Sequence, residues 1–190
     1  MKKAIFWFRR DLRLEDNTGL FQCLNDFDQV IPVFIFDKEI LEKLPTKDKR
    51  VEFIWHCIQH LKDKLNAFGS DLIVIHDHPS QIIQLAAEHQ VDAVYCSEDY
   101  EPDAISRDQL VRDALNKINI QFKSFKDTVI FAKKEILNQQ GLPYHVFTAY
   151  KNAWRAKLHS TNFHHYPSEN LLEKMFKIES SPLISLEKLG

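Results

Sequence analysis

Glycine is scarce in this chain, which has 190 residues and only four glycines. Gly19, Gly69, Gly141 and Gly190 are too far apart to form either G-x-G-x-x-G or G-x-x-x-x-G-K-[ST]. Both motifs need closely spaced glycines so that the backbone can approach a phosphate. A dinucleotide-binding fingerprint and a P-loop are therefore excluded.

Cysteine is also scarce. Cys23, Cys57 and Cys96 are an odd number of widely separated thiols without a C-x-x-C pair. This pattern argues against a disulfide framework and against a thiolate zinc site. The densest histidine cluster, within residues 159–165, lies in a polar segment. We therefore expect no metal site.

The chain has no strong excess of one charge and no long apolar run. Its 25 Lys+Arg and 27 Asp+Glu leave a net charge of -2, whereas proteins that hold nucleic acid by electrostatics alone are usually basic. No apolar stretch approaches the roughly 18 residues that cross a bilayer. The apolar run at residues 4–8 is too short for a signal peptide. We expect a cytoplasmic, monomeric protein without a membrane anchor.

Short apolar runs alternate with helical patterns along most of the sequence. The runs that predict strands occupy residues 4–8, 30–36, 72–75, 93–96 and 120–125. The last run alternates apolar and polar residues, which is typical of an edge strand. Between the second and third runs, Val51, Ile58 and Leu65 lie on one helical stripe. The alternation predicts an α/β domain over about residues 1–130, a doubly wound five-stranded parallel sheet with helices on both faces, Rossmann-like.

The pattern changes after this domain. Residues 131–158 read as a closing segment with a last helix, and residues 159–190 read as a polar interdomain connector. On the last helix, Phe147, Tyr150 and Trp154 recur at helical spacing. This stripe is either a docking surface for another domain or part of the packing on the chain's own sheet.

Polar side chains follow the predicted strands at the point where each strand ends. In a doubly wound sheet, ligands bind in the crevice outside these carboxyl ends. The residues concerned are Arg9, Arg10 and Asp11, then Asp37, then His76 to His78, then Ser97 to Glu101. They could bind a planar polar ligand, because arginine pairs with anions and stacks on rings. The alternative is a surface network of the arginines at positions 9, 10 and 13 with the acids at 11, 15 and 16.

The string WFRRDLRLEDN at residues 7–17 resembles the opening of DNA photolyases and cryptochromes. Further segments resemble this family in the same order, namely PVFIFD at 32–37, RVEFI at 50–54, DYEP at 99–102, RD at 107–108 and GLPYHVFT at 141–148. Several ordered motifs over about 150 residues make the resemblance specific.

The resemblance implies an N-terminal α/β domain, a connector and a helical domain that holds FAD. In photolyases, light-excited reduced FAD passes an electron to a cyclobutane pyrimidine dimer that is flipped out of DNA. The whole protein would then be a DNA photolyase, a carbon–carbon lyase. This chain would be its α/β portion, with the helical FAD domain as its partner and damaged DNA reached only through that domain. Alone, it is expected to bind no FAD, to be nearly colourless and to be inactive.

Many members of this family hold a second, light-harvesting antenna chromophore in the α/β domain. The resemblance carries its contacts to Arg10, Asp37, Arg50, Asp99 and Glu101, and it assigns no catalytic residue to this chain. Folate-type members have an Asn-Glu pair where this chain has Asp103-Ala104. A deazaflavin or flavin antenna is therefore favoured over folate.

Two other functions stay open from the sequence. One is the α/β domain of a cryptochrome-type blue-light photoreceptor, because the residues that separate it from a photolyase lie in the helical domain. The other is a free-standing ligand-binding α/β module, against which the absence of a glycine-rich phosphate loop counts.

Overall fold

The computed structural model describes residues 1–189, and its centre is a five-stranded parallel sheet of order β3-β2-β1-β4-β5. The strands are β1 Lys3–Phe8, β2 Gln29–Asp37, β3 Ile73–Asp77, β4 Ala93–Ser97 and β5 Gln121–Phe125. Each overlaps one of the five predicted runs, because an uninterrupted apolar segment suits a strand buried on both faces. The predicted parallel sheet is confirmed.

Helices connect the strands and continue beyond the last one. They are α1 Thr18–Asp26, α2 Lys38–Leu41, α3 Lys49–Asn66, α4 Gln81–Glu88, α5 Pro102–Lys117, α6 Phe147–His159 and α7 Leu186–Leu189, with 3-10 turns at Lys133–Glu135 and Ser168–Lys174. Several begin at a side-chain cap, as Asn17 shows by accepting a hydrogen bond from the backbone N–H of Leu20 at 3.0 Å.

The chain winds outward from β1 in both directions. It adds β2 and β3 on one side, then crosses back to place β4 and β5 on the other. The topological switch point therefore lies between β1 and β4, where Trp7 is in register with Cys96. Polar groups at the carboxyl ends of these two strands meet there.

Two apolar cores cover the two faces of the sheet. Side chains of β1 alternate between them, with Phe6 and Phe8 in one core and Ile5 and Trp7 in the other. Helices α1 and α3 contribute to the first core, and α4 and α5 contribute to the second. This arrangement confirms the prediction of helices on both faces.

The polar segment predicted as a connector lies against the α/β domain. We call residues 166–189 the C-terminal strap. Ser168 Oγ donates to the Leu14 carbonyl at 2.6 Å, and the backbone N–H of Phe176 donates to the Val30 carbonyl at 2.8 Å. The strap therefore follows the first core, and its role as a connector to another domain stays a prediction.

Helix α6 lies outside both cores, and none of its residues is buried. Trp154 packs edge-to-face on Phe131, with ring centroids 5.7 Å apart. Phe147 is 74% exposed at the opposite end of the helix. The predicted stripe thus divides, since Trp154 packs within the chain while Phe147 faces solvent.

Candidate functional site

The switch point brings together three of the five side chains that the resemblance singled out. Arg10 follows β1, and its Nε lies 3.2 Å from Asp99 Oδ2, beyond the end of β4. Its Nη2 lies 2.7 Å from Glu101 Oε2, the residue that precedes α5. Hydrogen bonding to Glu101 is the main cause that raises the pKa of Arg10. We call Arg10, Asp99 and Glu101 the rim cluster.

The rim cluster is exposed on its arginine side. The Arg10 side chain is 57% exposed, whereas that of Asp99 is 10% exposed. A guanidinium that is held on one side by two carboxylates keeps its other face for a planar ring or an anionic group. The geometry therefore suits recognition of a flat or negatively charged ligand.

Arg9, which directly follows β1, has a buried side chain that finds its partners outside the rim cluster. Its Nη1 lies 2.5 Å from Asp108 Oδ1 on α5, and its Nη2 donates to the Ser97 carbonyl. Arg13 pairs with Asp127 at 2.7 Å and donates to the Asp16 carbonyl at 2.8 Å. The predicted alternative, in which these arginines pair with the acids at 11, 15 and 16, is therefore wrong. Their carboxylate partners come from distant parts of the chain.

A shallow crevice, too narrow to enclose a water molecule, lies beside the rim cluster. Its floor includes Asp11, a buried carboxylate that accepts hydrogen bonds from Ser97 Oγ and, at 3.1 Å, from Asn17 Nδ2. Burial raises the pKa of Asp11, although the Ser97 hydrogen bond opposes this effect. The sequence analysis placed Asp11 and Ser97 at strand ends without selecting them as site residues. Only the pairing of β1 with β4 brings them together.

Asp37 and Arg50 lie apart from the rim cluster. Asp37 ends β2, and its Oδ1 caps α2 by accepting from the backbone N–H of Glu39 at 3.0 Å. Arg50 lies in the first turn of α3, and its Nη2 is 2.6 Å from Asp48 Oδ2. That guanidinium is the main cause that lowers the pKa of Asp48 to about 2. The structure therefore brings three of the five predicted residues together and leaves Asp37 and Arg50 in separate local contacts.

An open cavity of about 300 Å³ lies at the carboxyl edge of the sheet, near the ends of β2 and β3 and the first turn of α3. It is lined by Lys38, Leu41, Glu42, Leu44, Pro45, Thr46, Val51, His76 and Leu189. Asp37 and Arg50 are not part of the lining, although each is next in sequence to a residue that is, Lys38 and Val51. Ligand sites of about 300–1,000 Å³ with apolar walls and a few polar groups are typical of small-molecule binding.

The described residues, 1–189, hold neither a cluster of metal ligands nor a helix that could cross a membrane. No three His, Cys, Asp or Glu side chains in this part of the chain come together in a way that could hold a metal ion. None of the helices described is both long and apolar enough to cross a membrane.

The DNA photolyase family profile matches residues 4–170 of this chain. An "uncharacterized 31.6 kDa protein in atpI 5'region" of Synechococcus sp. (strain PCC 6716) is 34% identical over 187 residues, which is 98% of this chain and 66% of the relative. A deoxyribodipyrimidine photo-lyase of Synechococcus sp. (strain ATCC 27144) is 34% identical over 154 residues, covering 80% of this chain and 32% of the relative.

Among solved structures, the photolyase of Sulfolobus tokodaii superposes with a TM-score of 0.70 at 31% identity, over 96% of this chain and 43% of that chain. It was solved with two FAD molecules, with the implication of a novel light-harvesting cofactor. This chain thus spans between about a third and two thirds of the length of these proteins. The profile covers most of the chain, so the chain belongs to the DNA photolyase family.

Proposed function

We propose that this chain is the antenna-binding α/β domain of a light-driven DNA photolyase. One observation carries the proposal. A cavity of about 300 Å³ opens at the carboxyl edge of the sheet, lined by Lys38 after β2, His76 of β3 and Val51 of α3, along the same edge as the rim cluster. Ligands of doubly wound domains bind at this edge.

The lining of the cavity fits a ring system. Leu41, Leu44, Val51 and Leu189 supply apolar contacts for the faces of a tricyclic ring, and His76 supplies a polar group. Burial of apolar ring surface favours binding by about 25 cal/mol per Å². The chromophore would supply absorption of near-ultraviolet or blue light, and the protein's part would be to hold its ring.

The charged residues would set the orientation of such a ligand. Arg10 would pair with a phosphate or carboxylate, or stack on a ring, with the face that Asp99 and Glu101 do not occupy. Arg50 is 70% exposed and could leave Asp48 for a ligand phosphate at small cost, since exposed ion pairs are weak. A deazaflavin or flavin is proposed over a folate. The Sulfolobus tokodaii photolyase, which holds two FAD molecules, supports the flavin type.

Repair itself is proposed for the whole protein and not for this chain alone. It would need FAD on a helical domain, and flipped-out pyrimidine dimers reached through that domain. Exposed apolar residues of α6 and its approach, Leu142, Val146 and Phe147, support docking of such a domain there. We propose a monomeric, cytoplasmic assembly. A cryptochrome-type photoreceptor would use the same α/β domain, and the similarity to deoxyribodipyrimidine photo-lyases favours repair over signalling.

Titration of the purified chain with chromophores tests the antenna assignment. Flavin mononucleotide, a 5-deazaflavin and a folate would each be added, and binding followed by fluorescence anisotropy. We expect weak but saturable binding of the flavin or deazaflavin and not of the folate, since a chain that is expected to be nearly colourless when purified alone does not retain its chromophore tightly. Arg10→Ala should weaken binding roughly tenfold, because charge-assisted contacts to an anion or ring are lost.

The matched control is Arg112→Ala on α5, whose guanidinium lies over the Phe122 ring, 5.1 Å from its centroid and away from the cavity. This variant should bind as the parent chain does. Absence of saturable binding for all three chromophores, or equal weakening in both variants, would contradict the proposal.

A further inference from the structure

A row of alternating charges runs from the second core to the rim cluster. It begins at Arg9, whose Nη1 is 2.5 Å from Asp108 Oδ1. The same carboxylate oxygen lies 2.9 Å from Arg107 Nη2. That nitrogen is in turn 4.0 Å from Asp99 Oδ2, which Arg10 Nε approaches to 3.2 Å. Each carboxylate in the row therefore lies between two guanidinium groups.

Trp7 anchors the inner end of this row. It is buried in the second core and is 2% exposed. The guanidinium carbons of Arg9 and Arg107 each lie 5.3 Å from the centroid of its ring. Arginine binds aromatic faces through cation–π attraction and stacking. A rigid side chain of the central strand thus sets the positions of both arginines.

The row differs from an ordinary surface ion-pair network in its burial. The side chains of Arg9, Asp108 and Asp99 are at most 12% exposed, and that of Arg107 is 21% exposed. Charges in such surroundings are screened little by water, so each depends strongly on its neighbours. Arg10 is the only member of the row with a side chain that is more than half exposed, and it faces the site.

We infer that Arg107 is a positioning residue, which holds the Asp99 carboxylate so that Arg10 presents its guanidinium to the ligand. The expected effect of Arg107 on ligand affinity rests on the proposed function. Its expected effect on the contact between Arg10 and Asp99 rests only on the observed distances. Asp99 has two cationic neighbours, Arg107 from inside and Arg10 from outside. Without Arg107, Asp99 Oδ1 would keep the hydrogen bond from the Tyr100 backbone N–H at 2.8 Å, but Oδ2 would be left with the exposed Arg10 side chain and could turn outward with it.

Position-specific variants of Arg107 separate this role from general stabilisation. Arg107→Met removes the charge and keeps an unbranched apolar stem, whereas Arg107→Lys keeps the charge. The matched control is Arg112→Met on the same helix, which also removes a guanidinium from an aromatic ring. If Arg107→Met fails to fold, Arg107→Gln takes its place, since it retains a hydrogen-bonding head group without the charge.

Crystal structures of the chain and its variants give the first readout, which needs no ligand. We expect the contact between Arg10 and Asp99 to be lost in Arg107→Met, retained in Arg107→Lys and unchanged in Arg112→Met. Flavin mononucleotide titration gives the second readout. Affinity should fall roughly tenfold in Arg107→Met and return to within about threefold of the parent in Arg107→Lys.

The outcomes distinguish this inference from the proposed function. If the parent chain binds no flavin but Arg107→Met loses the contact between Arg10 and Asp99, the positioning role stands and the antenna assignment fails. If that contact persists in Arg107→Met, the inference is overturned, whatever the affinity. Equal loss of affinity in Arg107→Met and Arg107→Lys, without a change in the contact, would also overturn it.

Discussion

Removal of the Asp71 carboxylate should be among the most damaging single changes to the stability of this domain. Asp71 and Lys62 form an ion pair whose side chains are only 1% and 3% exposed. The Lys62 ammonium lies 2.7 Å from both carboxylate oxygens and 3.2 Å from the Leu72 carbonyl. The pair ties α3 to the residues just before β3, beneath the C-terminal strap.

The two residues of this pair differ in how many other hydrogen-bond partners each one has. Asp71 also accepts hydrogen bonds from the backbone N–H of Leu72 at 2.9 Å, and from Ser181 N at 2.9 Å and Oγ at 3.2 Å. Asp71→Ala leaves the Lys62 ammonium with one carbonyl, so the loss should be about 3–5 kcal/mol, as for a buried charge without its partner. Lys62→Met leaves the carboxylate with three donors, and the loss should be smaller, about 1–3 kcal/mol.

Urea unfolding followed by tryptophan fluorescence measures these differences by linear extrapolation. The double variant Lys62→Met/Asp71→Ala should lose less than the sum of the single losses, because neither residue is then left as an unpaired charge. Lys64→Met on the same helix is the control, since Lys64 pairs with the half-exposed Glu15 and should matter little. A larger loss of free energy of unfolding for Lys62→Met than for Asp71→Ala would show that the additional hydrogen bonds of Asp71 do not compensate for the missing ammonium.

Three further changes test other parts of the fold. Ser168→Ala removes the donor to the Leu14 carbonyl and should cost about 1–3 kcal/mol in urea unfolding, with faster proteolysis of the strap; unchanged cleavage would show that this bond does not hold it. Gly19→Ala places a Cβ 3.1 Å from Phe6 Cε2 and should lower the free energy of unfolding by about 1–3 kcal/mol through overpacking. An unchanged urea midpoint would contradict this prediction. Burial is the main cause that raises the pKa of Cys96 from 9.0 to about 12, so the unfolded thiol ionises first and stability should fall from about pH 9 towards about pH 12. Unfolding at about pH 8 and about pH 10 should show this slope, and Cys96→Ala should reduce it.

The sheet was predictable because its information is local. Five apolar segments alternate with helical stripes, and a chain of that pattern can bury its strands only in a parallel sheet covered on both faces. The meeting of Arg10 with Asp99 followed from the same rule, since parallel strands present their carboxyl ends at one edge. The resemblance indicated which polar residues at that edge would contact an antenna chromophore.

Other features were not predictable from residue order. The sequence analysis offered Asp11, Glu15 and Asp16 as partners of the nearby arginines, but Arg9 pairs with Asp108 from α5. Both arginines follow the end of β1, where the Arg9 side chain is buried and that of Arg10 is exposed, and no local pattern says which of two adjacent arginines does which. Polar composition likewise predicted a connector at residues 159–190, although single groups such as Ser168 hold part of it against the domain.

The amino-acid sequence by itself determined the α/β class, the exclusion of glycine-rich phosphate loops and the clustering of charge after the strands. These depend on composition and on short-range periodicity, which a linear chain displays directly. Only the tertiary structure decided that β4 lies beside β1, that Arg10 meets Asp99 and Glu101 while Asp37 and Arg50 stay apart, and that Trp7 lies against the row of charges behind Asp99. Such contacts join residues far apart in the chain, and packing of the whole domain, not local preference, selects them.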